Sequence, residues 1–169
     1  MGVSYEDLEV GKRYVVGSHT FGRDEVVQFA EQFDPQPFHM SEAGGEASMF
    51  GGLVASGWHT CSVMMGMLVR NFLKDSTSMG SPGVDEIRWL KPTRVGDTLT
   101  MTNAILSKRV SASKPDRGIV ETQWEGHNQH GELIVTVRSK ALFGLRHPGS
   151  VACAKAMSCR LPTRRRCAC

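Results

Sequence analysis

Residues 57–74 read GWHTCSVMMGMLVRNFLK, a segment apolar nearly all round until its last turn, which is the pattern of a helix buried on most of its surface. The chain on either side of it decides the fold. After the punctuation Gly80-Ser81-Pro82-Gly83 come four runs with strand-like composition, at about 84–91, 98–110, 118–126 and 133–143. Val95-Gly96-Asp97, residues 113–117 and residues 128–131 separate them with turn chemistry. Working towards the N-terminus, Lys12 to Phe21 (KRYVVGSHTF) mixes β-branched and aromatic residues as a strand does. A helix then runs to about Phe33, with Asp24 as its N-cap and Val26, Val27, Phe29, Ala30 and Phe33 forming a core-facing stripe at helical spacing. A shorter helix is expected over 41–47, before the Gly51-Gly52 break.

One strand, then helices, then four strands in hairpin succession predicts an α+β domain in which an antiparallel β-sheet packs against one long central α-helix. A parallel α/β fold is disfavoured. Such a sheet leaves edges open, so a homodimer or higher homo-oligomer is expected.

A chain of 169 residues with 40% apolar content can bury one core, and residues 1–146 are read as a single domain. Residues 147–169 are read as a basic, cysteine-containing tail without a core of its own. Five of the 20 bases lie in that tail and all 17 acids lie before it, so the body is slightly acidic despite a net charge of +3. A nucleic-acid surface on the body is therefore not expected. Arg164-Arg165-Arg166 reads as a solvated chain end. Cys61 stands alone in the body, and Cys153, Cys159, Cys167 and Cys169 lack the paired spacing of a structural zinc site, so neither a disulfide framework nor a metal is expected. There is no basic-then-apolar leader and no apolar run of roughly 20 residues. The expectation is a cytoplasmic protein without a membrane partner.

The chemistry concentrates in Asp34-Pro35-Gln36-Pro37-Phe38-His39. Each proline lacks a donor and biases the residue before it away from the α region, so the first helix must stop here and a stiff turn begins. A fully extended chain would hold Asp34 and His39 about 16 Å apart at roughly 3.3 Å per residue, and a regular helix would not put both on one face. Only a turn brings the carboxylate and the imidazole together, where they could hold one water between proton acceptor and proton donor. Asp before Pro is also a common turn opener, and a His beside apolar segments is often structural, so spacing alone leaves both readings open. His59, on the central helix, reads as a core or interface histidine.

The run from Phe33 to His39 resembles the D-x-N-P-x-H signature of MaoC-like dehydratases and R-specific enoyl-CoA hydratases. Gly52-Leu53-Val54-Ala55-Ser56-Gly57 resembles that family's small-residue lead into its long helix, and Arg88-Trp89-Leu90-Lys91-Pro92 with Val95-Gly96-Asp97 resembles its F-x-x-P-V-x-x-G-D segment. The likeness runs from about Tyr5 to Arg146. It implies a hot-dog fold, an antiparallel sheet wrapped around the central helix. It also implies reversible addition of water to a trans-2-enoyl thioester of coenzyme A or an acyl-carrier protein, with no cofactor beyond the thioester itself. By position it makes Asp34 and His39 the acid/base pair and Gly57 the backbone donor to the thioester carbonyl, a role suited to the positive end of a buried helix. Gln36 stands where the family commonly has Asn, and Met65 where some hydratases place Ser near the site. Gln36, Ser56 and Met65 are the expected substrate contacts, with Arg88, Lys91 and Arg94 candidates for the coenzyme's phosphates. Two other functions stay open: a hot-dog thioesterase, which usually needs a carboxylate on or beside the central helix where this chain has none between Glu46 and Asp75, and a non-catalytic acyl-binding subunit.

Overall fold

The computed structural model describes residues 2–147; the tail reading and its cysteines and arginines lie outside them, apart from His147. Five strands form one sheet: β1 (Arg13–Thr20), β2 (Gly83–Trp89), β3 (Thr98–Val110), β4 (Arg117–His127) and β5 (Leu133–Gly144). Helices α1 (Arg23–Phe33), α2 (Pro37–Met40), α3 (Glu42–Glu46) and α4 (Gly57–Leu68) lie between β1 and β2 in the chain. The sheet is antiparallel throughout, in the order β1-β3-β4-β5-β2. Its alternating inner residues, Leu99 and Met101 of β3, Trp124 of β4, Val135 and Val137 of β5, share one buried cluster with Met64, Met67 and Leu68 of α4. This is the expected α+β arrangement, a sheet around a central helix.

Three expectations need correction. The last four strands are not a simple hairpin succession. β3, β4 and β5 are, but β2 pairs only with β5, at the far edge. The chain leaving α4 reaches the sheet beside β5, where Met79 N–H bonds Leu142 O and Leu142 N–H bonds Gly80 O, so β2 is laid down there and residues 90–97 must cross back over roughly 14 Å at the spacing of paired strands. The N-cap of α1 is Gly22 rather than Asp24: the Glu25 carboxylate accepts the Gly22 N–H at 2.7 Å, satisfying a donor that the helix cannot. Phe33, placed in the core stripe, is 70% exposed, and Val26 and Ala30 carry the burial of α1.

The central segment divides as well. Residues 57–68 are α-helical and Val69–Leu73 continue as a wider π-helical turn. Trp58, Met65 and Val69 are exposed, and at spacings of seven and eleven residues they form one uncovered stripe.

His59, about 100° round α4 from that stripe, is buried. It stacks on Phe29 at 4.7 Å, meets the edge of Phe21 at 5.3 Å, and its Nδ1 has no hydrogen-bond partner. Burial, against a partial counter-pull from Glu25, pushes its pKa below the ordinary 6.5. The unfolded chain therefore binds this proton more tightly than the folded one, and stability should fall as pH drops through the ordinary histidine range towards the lower folded value. Urea unfolding at neutral pH and at ~pH 5 should show a smaller acid loss in His59→Phe than in the wild type; equal losses would mean that other groups carry the acid sensitivity.

Candidate active site

The dyad is assembled by two successive turns. Asp34 N–H bonds Ala30 O at 2.9 Å and closes α1, Gln36 N–H bonds Asp34 O at 2.8 Å, and His39 N–H bonds Gln36 O at 2.9 Å. Pro37 occupies the first turn of α2, where its missing donor costs nothing. The five-residue spacing is thereby folded back until His39 Nε2 stands 3.5 Å from Asp34 Oδ2, with the side chains 7% and 19% exposed.

Each member is held from outside the turn. Asp34 Oδ2 accepts the Ser56 hydroxyl at 2.7 Å, and its Oδ1 accepts the Gln36 amide at 2.8 Å. The Ser56 hydrogen bond, outweighing partial burial and helped by Gln36 and by His39, holds the Asp34 carboxyl below its usual pKa. Ser56 is fully buried and is the N-cap of α4, its Oγ also accepting the Trp58 N–H at 3.2 Å, so one hydroxyl ties the carboxylate to the start of the central helix. His39 Nδ1 lies 2.7 Å from Val54 O. A carbonyl only accepts, so Nδ1 carries the proton and, in the neutral ring, Nε2 presents a lone pair. Two acceptors, Oδ2 and Nε2, thus face the same space.

That space is a cavity of about 550 Å³ lined by Asp34, Gln36, His39 and Gly57, with Trp58, Trp89, Lys91, Met49 and Phe50 among its other walls. Gly57 is the first residue of α4, so its N–H is one of the four that no intrahelical carbonyl can satisfy. A Cβ here would lie 2.6 Å from the Trp89 indole, so any side chain would force that ring to shift. Residues 54 and 55 are clamped from both sides, Val54 N–H to Phe38 O at 3.2 Å and Ala55 N–H to Thr93 O at 2.8 Å.

The other expected contacts divide. Ser56 supports Asp34 from behind, and Lys91 lines the cavity while pairing with Glu132. Arg88 and Arg94 do not line it. Arg88 pairs with Glu86 at 2.8 Å, as adjacent charges on an exposed edge strand do, and Arg94 donates to Phe50 O at 2.9 Å, buttressing the cavity wall. Met65, eight residues beyond Gly57, lines a separate cavity. Sequence reasoning missed Trp58, Trp89, Met49 and Phe50 as walls; Trp89 sits within the 88–92 motif, but its position over Gly57 depends on β2 reaching the far edge of the sheet. Among the described residues no group of three or more His, Cys, Asp or Glu is placed to hold a metal ion, and no helix is long and apolar enough to cross a membrane.

Residues 8–126 match the model of the MaoC like domain. A solved MaoC-like dehydratase from Rhodospirillum rubrum is 39% identical, covering 86% of this chain and 99% of that one with a TM-score of 0.80. An (R)-hydratase from A. caviae involved in PHA biosynthesis is 26% identical, covering 80% and 97%, with a TM-score of 0.64. The uncharacterized protein YdeM of Bacillus subtilis is 22% identical over 139 residues, 79% of this chain and 97% of that protein.

Proposed function

Because the chain belongs to the MaoC-like domain family, we propose that it reversibly hydrates a trans-2-enoyl thioester of coenzyme A or an acyl-carrier protein to the 3-hydroxyacyl thioester, in the cytoplasm and without a cofactor. The observation that carries this reading is the pairing of Asp34 Oδ2 and His39 Nε2 at 3.5 Å with Nδ1 committed to Val54 O. Two acceptors at that separation make no hydrogen bond to each other but suit one water donating both of its protons, which leaves its oxygen lone pair free to attack. As the C–O bond forms at the β-carbon, one water proton passes to Asp34 and the π electrons move onto the thioester as an enolate. The unpaired Gly57 N–H, at the positive end of α4, receives that charge. Reprotonation at the α-carbon by the dyad completes the addition. The likeness to an (R)-hydratase supports an R-configured product.

The uncovered stripe Trp58, Met65 and Val69 beside the exposed Val84, Trp89 and Leu90, with β2 at an open edge, supports a homodimer formed through this seam, as burying such a patch would favour. Ultraviolet loss of the enoyl chromophore of crotonyl-CoA and longer trans-2-enoyl-CoAs, with free thiol assayed in parallel, tests the reaction. Absorbance loss without thiol is the expected result; thiol release would establish a thioesterase instead.

Ser56→Ala separates positioning from catalysis. It removes the main force lowering the Asp34 pKa, so the acid limb of the rate profile should move to higher pH. Loss of the N-cap should also lower stability by about 1 kcal/mol. An unmoved limb would mean that Ser56 acts only as a cap.

A further inference from the structure

The inner face of the sheet carries a polar interruption. Asn103 of β3, Thr122 of β4 and Ser139 of β5 are 1%, 5% and 4% exposed; Thr122 pairs directly with Ser139 in register and lies diagonal to Asn103. On one side of this band are Met101, Trp124 and Val137 of the main core cluster, on the other Ile105, Val120 and Phe143 of a second cluster. The band marks the boundary between them. Thr122 and Ser139 share one hydrogen bond of 3.3 Å, whereas the Asn103 Oδ1 has no partner. A buried amide oxygen without a partner is costly, so its presence calls for a hydrogen-bond donor that satisfies it.

All three residues line a second cavity of about 430 Å³, whose remaining walls are largely apolar and include Met65 and Leu68 of α4. Among the described residues no charged side chain lines it. The two cavities lie along one seam. Trp58 borders the first and Met65 the second, seven residues apart and so pointing the same way from α4; Trp89 at one end of β2 borders the first, Gly83 and Val84 at the other end the second. Gly57 and Met65 are separated by roughly 12 Å along the helix axis, a distance that an extended acyl chain spans.

Resting on the hydratase reading, we infer that the second cavity receives the distal part of the acyl chain, and that this part carries a neutral hydroxyl that donates its hydrogen bond to Asn103 Oδ1 within the Asn103–Thr122–Ser139 band. A plain alkyl end would leave the amide unsatisfied, and a carboxylate would enter a cavity with no cation to pair it. A hydroxyl meets both conditions, since it is neutral and its O–H can donate to the amide oxygen.

Saturated acyl-CoAs bind without reacting, so calorimetric titration of wild-type protein with hexanoyl-, octanoyl- and decanoyl-CoA and their ω-hydroxy and ω-carboxy counterparts reads this preference apart from turnover. At one of these lengths the ω-hydroxy ligand should bind about tenfold tighter than the plain one, with the ω-carboxy ligand weakest. Asn103→Leu, close in size, should abolish the preference while retaining the fold, and Thr122→Val should reduce it, carrying the test if Asn103→Leu does not fold. No preference at any length, or one that survives Asn103→Leu and Thr122→Val, overturns the inference and means that ordered water alone satisfies Asn103. The hydratase reading is scored separately on the matching enoyl-CoAs: turnover without preference overturns only the cavity assignment, preference without turnover overturns only the hydratase, and no binding of any ligand overturns both.

Discussion

Asp34→Asn should lower kcat for enoyl-CoA hydration by about a thousandfold, within the range that general acid–base groups contribute. The substitution preserves shape, and the amide oxygen can still accept from the Ser56 hydroxyl that now meets Asp34 Oδ2 at 2.7 Å. What disappears is the capacity to take a proton from water as it attacks. Stability should change little, because Asp34 is a partly exposed helix terminus and not a core residue. Steady-state rates followed by enoyl absorbance, beside urea unfolding of the same variant, separate the two effects. A rate within tenfold of wild type would remove Asp34 from the chemistry.

His39→Gln should cost about a hundredfold or more in kcat, for a different reason. Its ring performs two tasks at once: Nδ1 donates to Val54 O at 2.7 Å and fixes the tautomer, and Nε2 thereby faces the water site as an acceptor. A glutamine amide can donate to Val54 or accept from water, but its reach does not place both atoms as the imidazole does. A loss of the order of 1 kcal/mol in stability should accompany the kinetic loss, since the Val54 hydrogen bond is buried. Residues that act as a unit are not additive, so Asp34→Asn/His39→Gln should be scarcely slower than the worse single variant. Multiplying losses would mean that the two side chains act independently.

How much of this was legible depended on whether the signal was local. β3 begins and ends where its alternation and flanking turns place it, at Thr98 and Val110, and the dyad was readable because two prolines within a six-residue span force the turn that joins Asp34 to His39. Long-range facts were not readable. Nothing local tells β2 to pair with β5 in preference to β3, and with β2 misplaced, Trp89 could not be set over Gly57. The Gly22 cap was missed because its partner is the Glu25 side chain and not a hydroxyl at the cap itself. Asn103 could have been noticed: in Thr98–Val110 it falls on the same alternation as Leu99 and Met101, a polar residue at an inward position.

If Asp34 and His39 deliver a water oxygen to the β-carbon of an enoyl thioester, that oxygen can be traced. Incubation with crotonyl-CoA in water labelled with heavy oxygen, followed by mass spectrometry of the products, does so. The label should appear in the 3-hydroxyl group of an intact thioester, formed by the wild type and nearly absent with Asp34→Asn. Label in a free carboxylate would mean attack at the carbonyl carbon, and would contradict a hydratase.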